Sequence, residues 1–349
     1  LKAFLAQGSQ APSLAIRSPI KFPMKLISLL LAGCSTLVSS TIIDASHLLR
    51  RESPPPHQSS LLVHEGWYGN DPEDAKWHGM DQHEVLQLLE GWYAKFTPDL
   101  EKLRAKARKW KGIPMTDDIE MSISYFRIRA TKPSTVWECS PAFGWSSLFI
   151  LQALEDNGVG QLYSFGLETE KQVFGLLDAC CPELTKRWSY REGKLQDFIH
   201  AYDFKSGKGG FQNSKGHVDV PLPQYVYIDA LHTYEFGHMY ADSLLSNLKG
   251  HIHVSMHDAY RDSWGSSSPA EKESLKTHPH RPMPEAQGVM STLGSKVCKG
   301  FTISQSYAPE MYKSVSLLHE KHVHSKPLLH HSLNPTFWFE LDDQPCALQ

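Results

Sequence analysis

Four side chains in two short motifs are placed to do chemistry together: Asp229 and His232 in an Asp-x-x-His spacing, and the adjacent pair His257 and Asp258. Carboxylates and imidazoles hold divalent cations, and an imidazole exchanges its proton near neutral pH. Two carboxylates with an imidazole suit manganese, iron or zinc at least as well as magnesium, which prefers oxygen ligands alone. The plainer alternative is that Asp229 and Asp258 cap loops and His257 is a hydrogen-bonded neighbour. A second candidate is the run from Glu138 to Gly144, where Ser140, Ala142 and Gly144 keep the chain small enough for its backbone to approach a ligand. Glu138 itself is also compatible with a strand-end carboxylate that caps nearby amides.

These motifs are useful only if the chain brings them to one place. Between Thr135 and Asp258 short apolar strands alternate with helical stretches, the pattern of a parallel sheet covered on both faces. Strands are expected at 135–137, 162–165, 188–190, 225–228 and 251–256, and helices at 144–154, about 170–180, 195–202 and about 236–248. An open α/β sheet binds ligands at the carboxyl ends of its strands. Glu138–Gly144, Gly166–Glu168, Asp229–His232 and His257–Asp258 all fall there. The two histidine-aspartate pairs follow strands expected to be neighbours, so they converge on one mouth although 25 residues apart.

The runs VWECSPAFGWSS (136–147) and YVYIDALHTY (225–234), followed by His257-Asp258, resemble class I S-adenosylmethionine-dependent methyltransferases, in the branch of the type 24 methyltransferase domain; the similarity spans roughly residues 115–260. The resemblance implies a doubly wound, mostly parallel seven-stranded sheet of Rossmann-like type, closed by an antiparallel pair at 300–306 and 336–341. It implies S-adenosylmethionine as cofactor, bound by Glu138, Ser140, Ala142, Gly144, Glu168 and Asp229. Family members usually carry an acid after the second strand for the ribose hydroxyls. Here Gly166 stands at that position, and Glu168 either reaches the ribose in its place or simply opens the next helix. By the same resemblance Asp229, His257 and Asp258 are metal ligands and His232 is the catalytic base, serving O-methylation of a small hydroxylated acceptor. Two other readings stay open: a metal-dependent hydroxylase-like enzyme of this fold, and a non-catalytic binding protein derived from a methyltransferase.

The rest of the sequence narrows the setting. With 349 residues, 41% of them hydrophobic, the chain can build a large core. Its net charge of −3 and lack of a basic run argue against nucleic-acid binding. Six cysteines without C-x-x-C spacing give no zinc-ribbon or disulfide-scaffold pattern. Residues 1–60 read as a leader and linker: Lys25 and the apolar run 26–33 resemble a signal-peptide core with Met24 as start, and the prolines after Glu52 extend the chain. That reading places the protein in the secretory pathway or outside the cell, with a cytoplasmic location the alternative and membrane attachment only if the leader is kept or lipidated. Residues 61–114 are expected to form a helical cap, with stripes at Val85, Leu88, Leu89, Trp92 and Tyr93 and at Leu100, Leu103 and Ala107; residues 115–345 form the α/β domain. The stretches 205–216 and 263–284 read as loops, Tyr260 and Trp264 as pocket or core residues, and the histidines from His319 to His331 as a solvated cluster.

Overall fold

The structure is a computed structural model that describes residues 80–110, 114, 116–259, 284–303, 309–328 and 336–343. The leader, residues 61–79, Tyr260, Trp264, the segment up to Met283, His330 and His331 lie outside the described residues. No helix among the described residues is long and apolar enough to cross a membrane.

Strands β1 (Thr135–Cys139), β2 (Gln161–Gly166), β3 (Trp188–Glu192), β6 (Tyr225–Ile228), β7 (Ile252–Met256), β8 (Val297–Thr302) and β9 (Phe337–Leu341) form one sheet in the order β3-β2-β1-β6-β7-β9-β8. The first five pair in parallel, and β9 inserts antiparallel between β7 and β8. This is the expected seven-stranded, mostly parallel sheet. The closing pair was expected at 300–306 and 336–341, and its first strand instead starts three residues earlier. β4 (Gly210–Asn213) and β5 (Gly216–Asp219) form a separate hairpin where a plain loop was expected.

Alternate residues of each strand feed two apolar layers. Val136, Leu162, Tyr225 and Trp338 face one, and Trp137, Tyr163, Val226 and Phe339 face the other. The first layer is covered by α1 (Gln82–Ala107), α2 (Asp118–Thr131), α3 (Trp145–Asn157), α4 (Glu170–Cys180) and, further along the chain, α8 (Pro309–His322). The second is covered by α5 (Leu195–Ala201), α6 (Tyr234–Ser243) and α7 (Pro284–Leu293).

Helix α1 begins at a reciprocal cap in which the Asp81 carboxylate accepts from the Glu84 amide and the Asp81 amide donates to the Glu84 side chain. Its stripe Val85, Leu89, Tyr93, Phe96, Leu100 and Leu103 packs into the same apolar layer as α2 and α3. Helix α2 gave no sequence signal because both its apolar and its polar residues are buried, which erases the one-sided period. Its Arg127 donates to the backbone carbonyls of Val254 and Phe339 and so ties the helix to β7 and β9. The expectation of solvated histidines is corrected at His319, which is buried in α8 with its Nδ1 2.9 Å from the Tyr93 hydroxyl. Cys298 on β8 is disulfide-bonded, whereas Cys139, Cys180 and Cys181 are free thiols.

Candidate active site

The sheet reverses direction of winding between β1 and β6, and the amide of Asp229 donates to the Cys139 carbonyl just where the two strands end. Ligands of an open α/β sheet settle in such a crevice. The loop from β1 into α3 crosses it with three residues in the left-handed region, Ser140 (φ 67°), Ala142 (φ 46°) and Gly144 (φ 81°). A side chain disfavours this conformation at Ser140 and Ala142. At Gly144 a Cβ would lie 2.7 Å from the Val173 carbonyl, so only glycine lets α4 pass so close to the loop.

Glu138 lies on β1 just before this loop. It is fully buried, and its carboxylate accepts hydrogen bonds from the hydroxyls of Ser146 (2.7 Å), Ser147 (2.7 Å) and Ser164 (2.5 Å). Burial outweighs these bonds and raises its pKa above the usual carboxylate value. With both oxygens engaged, Glu138 ties α3 and β2 together at the base of the loop.

Glu168 behaves differently. Its side chain folds back over Gly166, where a Cβ would come within 2.8 Å of Glu168 Oε2, and the Tyr190 hydroxyl donates to the Glu168 carbonyl at 2.6 Å. Oε2 is buried and has no hydrogen-bond partner among the described residues. An orphan acceptor beside a glycine cradle at the end of β2 fits a ligand that brings hydroxyl donors. Phe143, Leu167 and Leu231, on the loops after β1, β2 and β6, are 49%, 71% and 62% exposed, so this end of the sheet carries apolar surface.

Asp229, His232, His257 and Asp258 do converge, as their spacing implied. His232 Nε2 lies 3.1 Å from Asp258 Oδ2, and its Nδ1 lies 2.7 Å from Glu285 Oε2 on α7. Burial alone would lower the His232 pKa, but the bonds to Asp258 and Glu285 outweigh it and push it up to about 10. His257 Nδ1 lies 3.1 Å from Asp258 Oδ1 and 3.4 Å from Asp229 Oδ1, while its Nε2 is 3.8 Å from Glu120 Oε2. Burial opposes the charged form there too, and Asp258, Asp229 and Glu120 together raise its pKa to about 10. Glu120 in turn accepts from the Thr336 amide (3.1 Å) and hydroxyl (2.7 Å), and burial drives its pKa up to about 8.

The geometry adds to the expected roles of the two histidines. The donor atoms of Asp229, His232 and Asp258 lie within 4.8 Å of one another, a set able to hold a metal ion. His232, expected as the base, also has the position of a nitrogen ligand, with a carboxylate on its other nitrogen as metal-bound imidazoles usually have. Both of its nitrogens face a carboxylate, Nε2 that of Asp258 and Nδ1 that of Glu285. His257 is buried behind the two aspartates and bridges them towards Glu120.

Glu285 and Glu120 were missed by sequence reasoning. Glu285 follows a proline at the start of a helix and read only as part of a loop boundary. The signal that could have found it is the pair Gly237 and Gly288. A Cβ on Gly237 would lie 2.1 Å from the Glu285 carbonyl, and one on Gly288 would lie 2.3 Å from the Tyr234 carbonyl. These two glycines let α6 and α7 meet backbone to backbone, which carries Glu285 to His232.

Residues 141–259 match the family model of a methyltransferase domain. No curated protein matches the chain. Solved structures similar to it include the O-methyltransferase TomG from Streptomyces achromogenes, involved in tomaymycin synthesis and in complex with S-adenosylmethionine (14% identity, 70% of this chain and 90% of that chain, TM-score 0.42). Another is the O-methyltransferase from Bacillus cereus in complex with S-adenosylhomocysteine (11% identity, 70% and 91%, TM-score 0.41). A third is the S-adenosylhomocysteine-bound methyltransferase PaMTH1 from Podospora anserina (12% identity, 94% and 100%, TM-score 0.34).

Proposed function

We propose that this chain, whose α/β core is a class I S-adenosylmethionine-dependent methyltransferase domain, methylates a hydroxyl group of a small acceptor with the help of a divalent cation at Asp229, His232 and Asp258. The observation that carries this reading is the convergence of those three donors at the mouth beside Glu168 and the loop 140–144. When bound, S-adenosylmethionine supplies the methyl group, and the cation supplies positive charge that lowers the pKa of an acceptor hydroxyl. Glu168 Oε2 accepts from the cofactor's ribose, and Ser140, Ala142 and Gly144 offer it backbone. Glu285 fixes the His232 ring from behind. Asp229, the more open carboxylate of the mouth at 27% exposure against 17% for Asp258, would offer one oxygen to the cation and keep the other to take the hydroxyl proton. The apolar surface of Phe143, Leu167 and Leu231 covers the body of the ligands and excludes water. Holding hydroxyl and methyl group in line supplies most of the rate.

The test is calorimetry of the full chain with S-adenosylhomocysteine, then a labelled-methyl screen of sugars and phenols with and without manganese. Asp258→Asn should transfer methyl groups poorly and regain part of the activity in excess manganese, because an amide oxygen is the weaker ligand. Absence of both cofactor heat and methyl transfer would overturn the reading, and full activity in chelator would remove the cation from it.

For location, the disulfide at Cys298 supports the secretory reading of the apolar run 26–33, because disulfides persist in oxidising compartments. N-terminal mass spectrometry of the mature protein tests this; an intact leader on a cytosolic protein would oppose it.

A further inference from the structure

At the other end of β7, His251, His253 and Glu340 face one another across the antiparallel pairing of β7 and β9. His251 and His253 are two residues apart and so share a face of the strand. His253 and Glu340 are direct partners in the register. His251 Nε2 lies 3.3 Å from Glu340 Oε2, His253 Nδ1 lies 3.6 Å from Glu340 Oε1, and the three donors fall within 4.8 Å of one another. Ligands of a tetrahedral ion with bonds of about 2.0–2.1 Å are themselves roughly 3.3 Å apart, so these spacings fit with little movement.

We propose that His251, His253 and Glu340 form a second cation site, distinct from the mouth, that takes a transition metal of zinc type and clips β7 to β9. Two imidazoles and one carboxylate favour zinc, copper or nickel over magnesium or calcium. Along β7 the site's ligands His253 and His251 stand about 13 and 20 Å from His257, at roughly 3.3 Å per residue. Glu340 Oε2 is buried and makes no well-aligned hydrogen bond among the described residues, only the looser ion pairs to His251 at 3.3 Å and Lys299 at 3.5 Å. His251 Nδ1 faces Asp342 at 3.9 Å, the position of a carboxylate that orients a metal-bound imidazole from behind.

Two cations border the site. Lys299 Nζ lies 3.5 Å from Glu340 Oε2, but its side chain is 65% exposed and free to turn into solvent. Arg127 keeps its bonds to the Val254 and Phe339 carbonyls at 3.0 and 2.6 Å, and its contact with His253 Nδ1 is the longest it makes, at 3.4 Å, and the one a metal would displace.

The test uses the full chain and three variants, His251→Ala, Glu340→Gln and Asp229→Asn, each checked for an unchanged melting curve in chelator. Zinc uptake by equilibrium dialysis should be one equivalent lower in His251→Ala and Glu340→Gln than in the parent. Asp229→Asn, which disables only the mouth, should keep that equivalent. Cobalt added to the parent should give a tetrahedral visible spectrum that survives Asp229→Asn and disappears in His251→Ala. Equal zinc uptake by the parent and both site variants would overturn the proposal and assign the metal to the other histidines, and so would absence of zinc uptake by the parent.

Discussion

His232 Nδ1 lies 2.7 Å from the Glu285 carboxylate although 53 positions separate the two residues. This bond decides what His232 can do, because it fixes the ring plane and leaves only Nε2 to face the mouth and Asp258. An outer carboxylate of this kind raises the basicity of the ligating nitrogen and keeps its tautomer fixed.

Glu285→Gln should therefore weaken manganese or zinc binding at the mouth by about 10–100-fold, the usual cost of losing such a partner. Affinity for S-adenosylhomocysteine should stay as it was. Titration of each ligand by calorimetry checks both halves, and unchanged metal affinity would return Glu285 to a purely structural role.

The same cluster makes stability depend on pH. His232 and His257 are raised to about 10 in the absence of a cation. A histidine held above its unfolded value of about 6.5 contributes stability that is complete below pH 6.5 and is lost as pH rises through its folded pKa. Glu120, raised to about 8 by burial, acts in the same direction between its ordinary value near 4.5 and pH 8. The melting temperature in chelator should fall steadily from pH 6.5 to 10, and Asp258→Asn should flatten the slope. A melting temperature constant across that range would contradict the ion pairs.

The approach of α6 to α7 depends on two glycines. Gly237→Ala places a methyl group 2.1 Å from the Glu285 carbonyl, and backbone cannot yield as a flexible side chain would. Overpacking of this kind costs typically about 1–3 kcal/mol. The helices should separate enough to break the His232–Glu285 bond, so denaturant midpoint and metal affinity should drop together. A variant that binds metal like the parent would show that the helices absorb the change elsewhere.

Glu168→Ala tests the orphan oxygen beside Gly166. Hydrogen bonds to a charged group are worth about 1.5–3 kcal/mol, so losing one or more should weaken S-adenosylhomocysteine binding by roughly 10–150-fold. The fold should be little affected, since the Tyr190 hydroxyl is held by the backbone carbonyl of residue 168 and not by its carboxylate. Unchanged affinity in calorimetry would mean the ribose is gripped by another group.

The sequence alone determined the alternating strands and helices from β1 to β7, and with them the placing of Asp229, His232, His257 and Asp258 at one end of the sheet. These features are legible because strand and helix periods are local, and a parallel sheet always gathers the loops after its strands. Helix α2 escaped because burial on every side removes the one-sided pattern, and the β4–β5 hairpin escaped behind its glycines and polar residues. What only the tertiary structure decided is the set of partners each side chain meets. Glu138 meets three serine hydroxyls from α3 and β2, Glu168 folds over Gly166, and Glu285 reaches His232 through the contact of Gly237 with α7. Those partners lie far apart in sequence, and what joins them is the close packing of helices against the sheet, which no local pattern of residue types encodes.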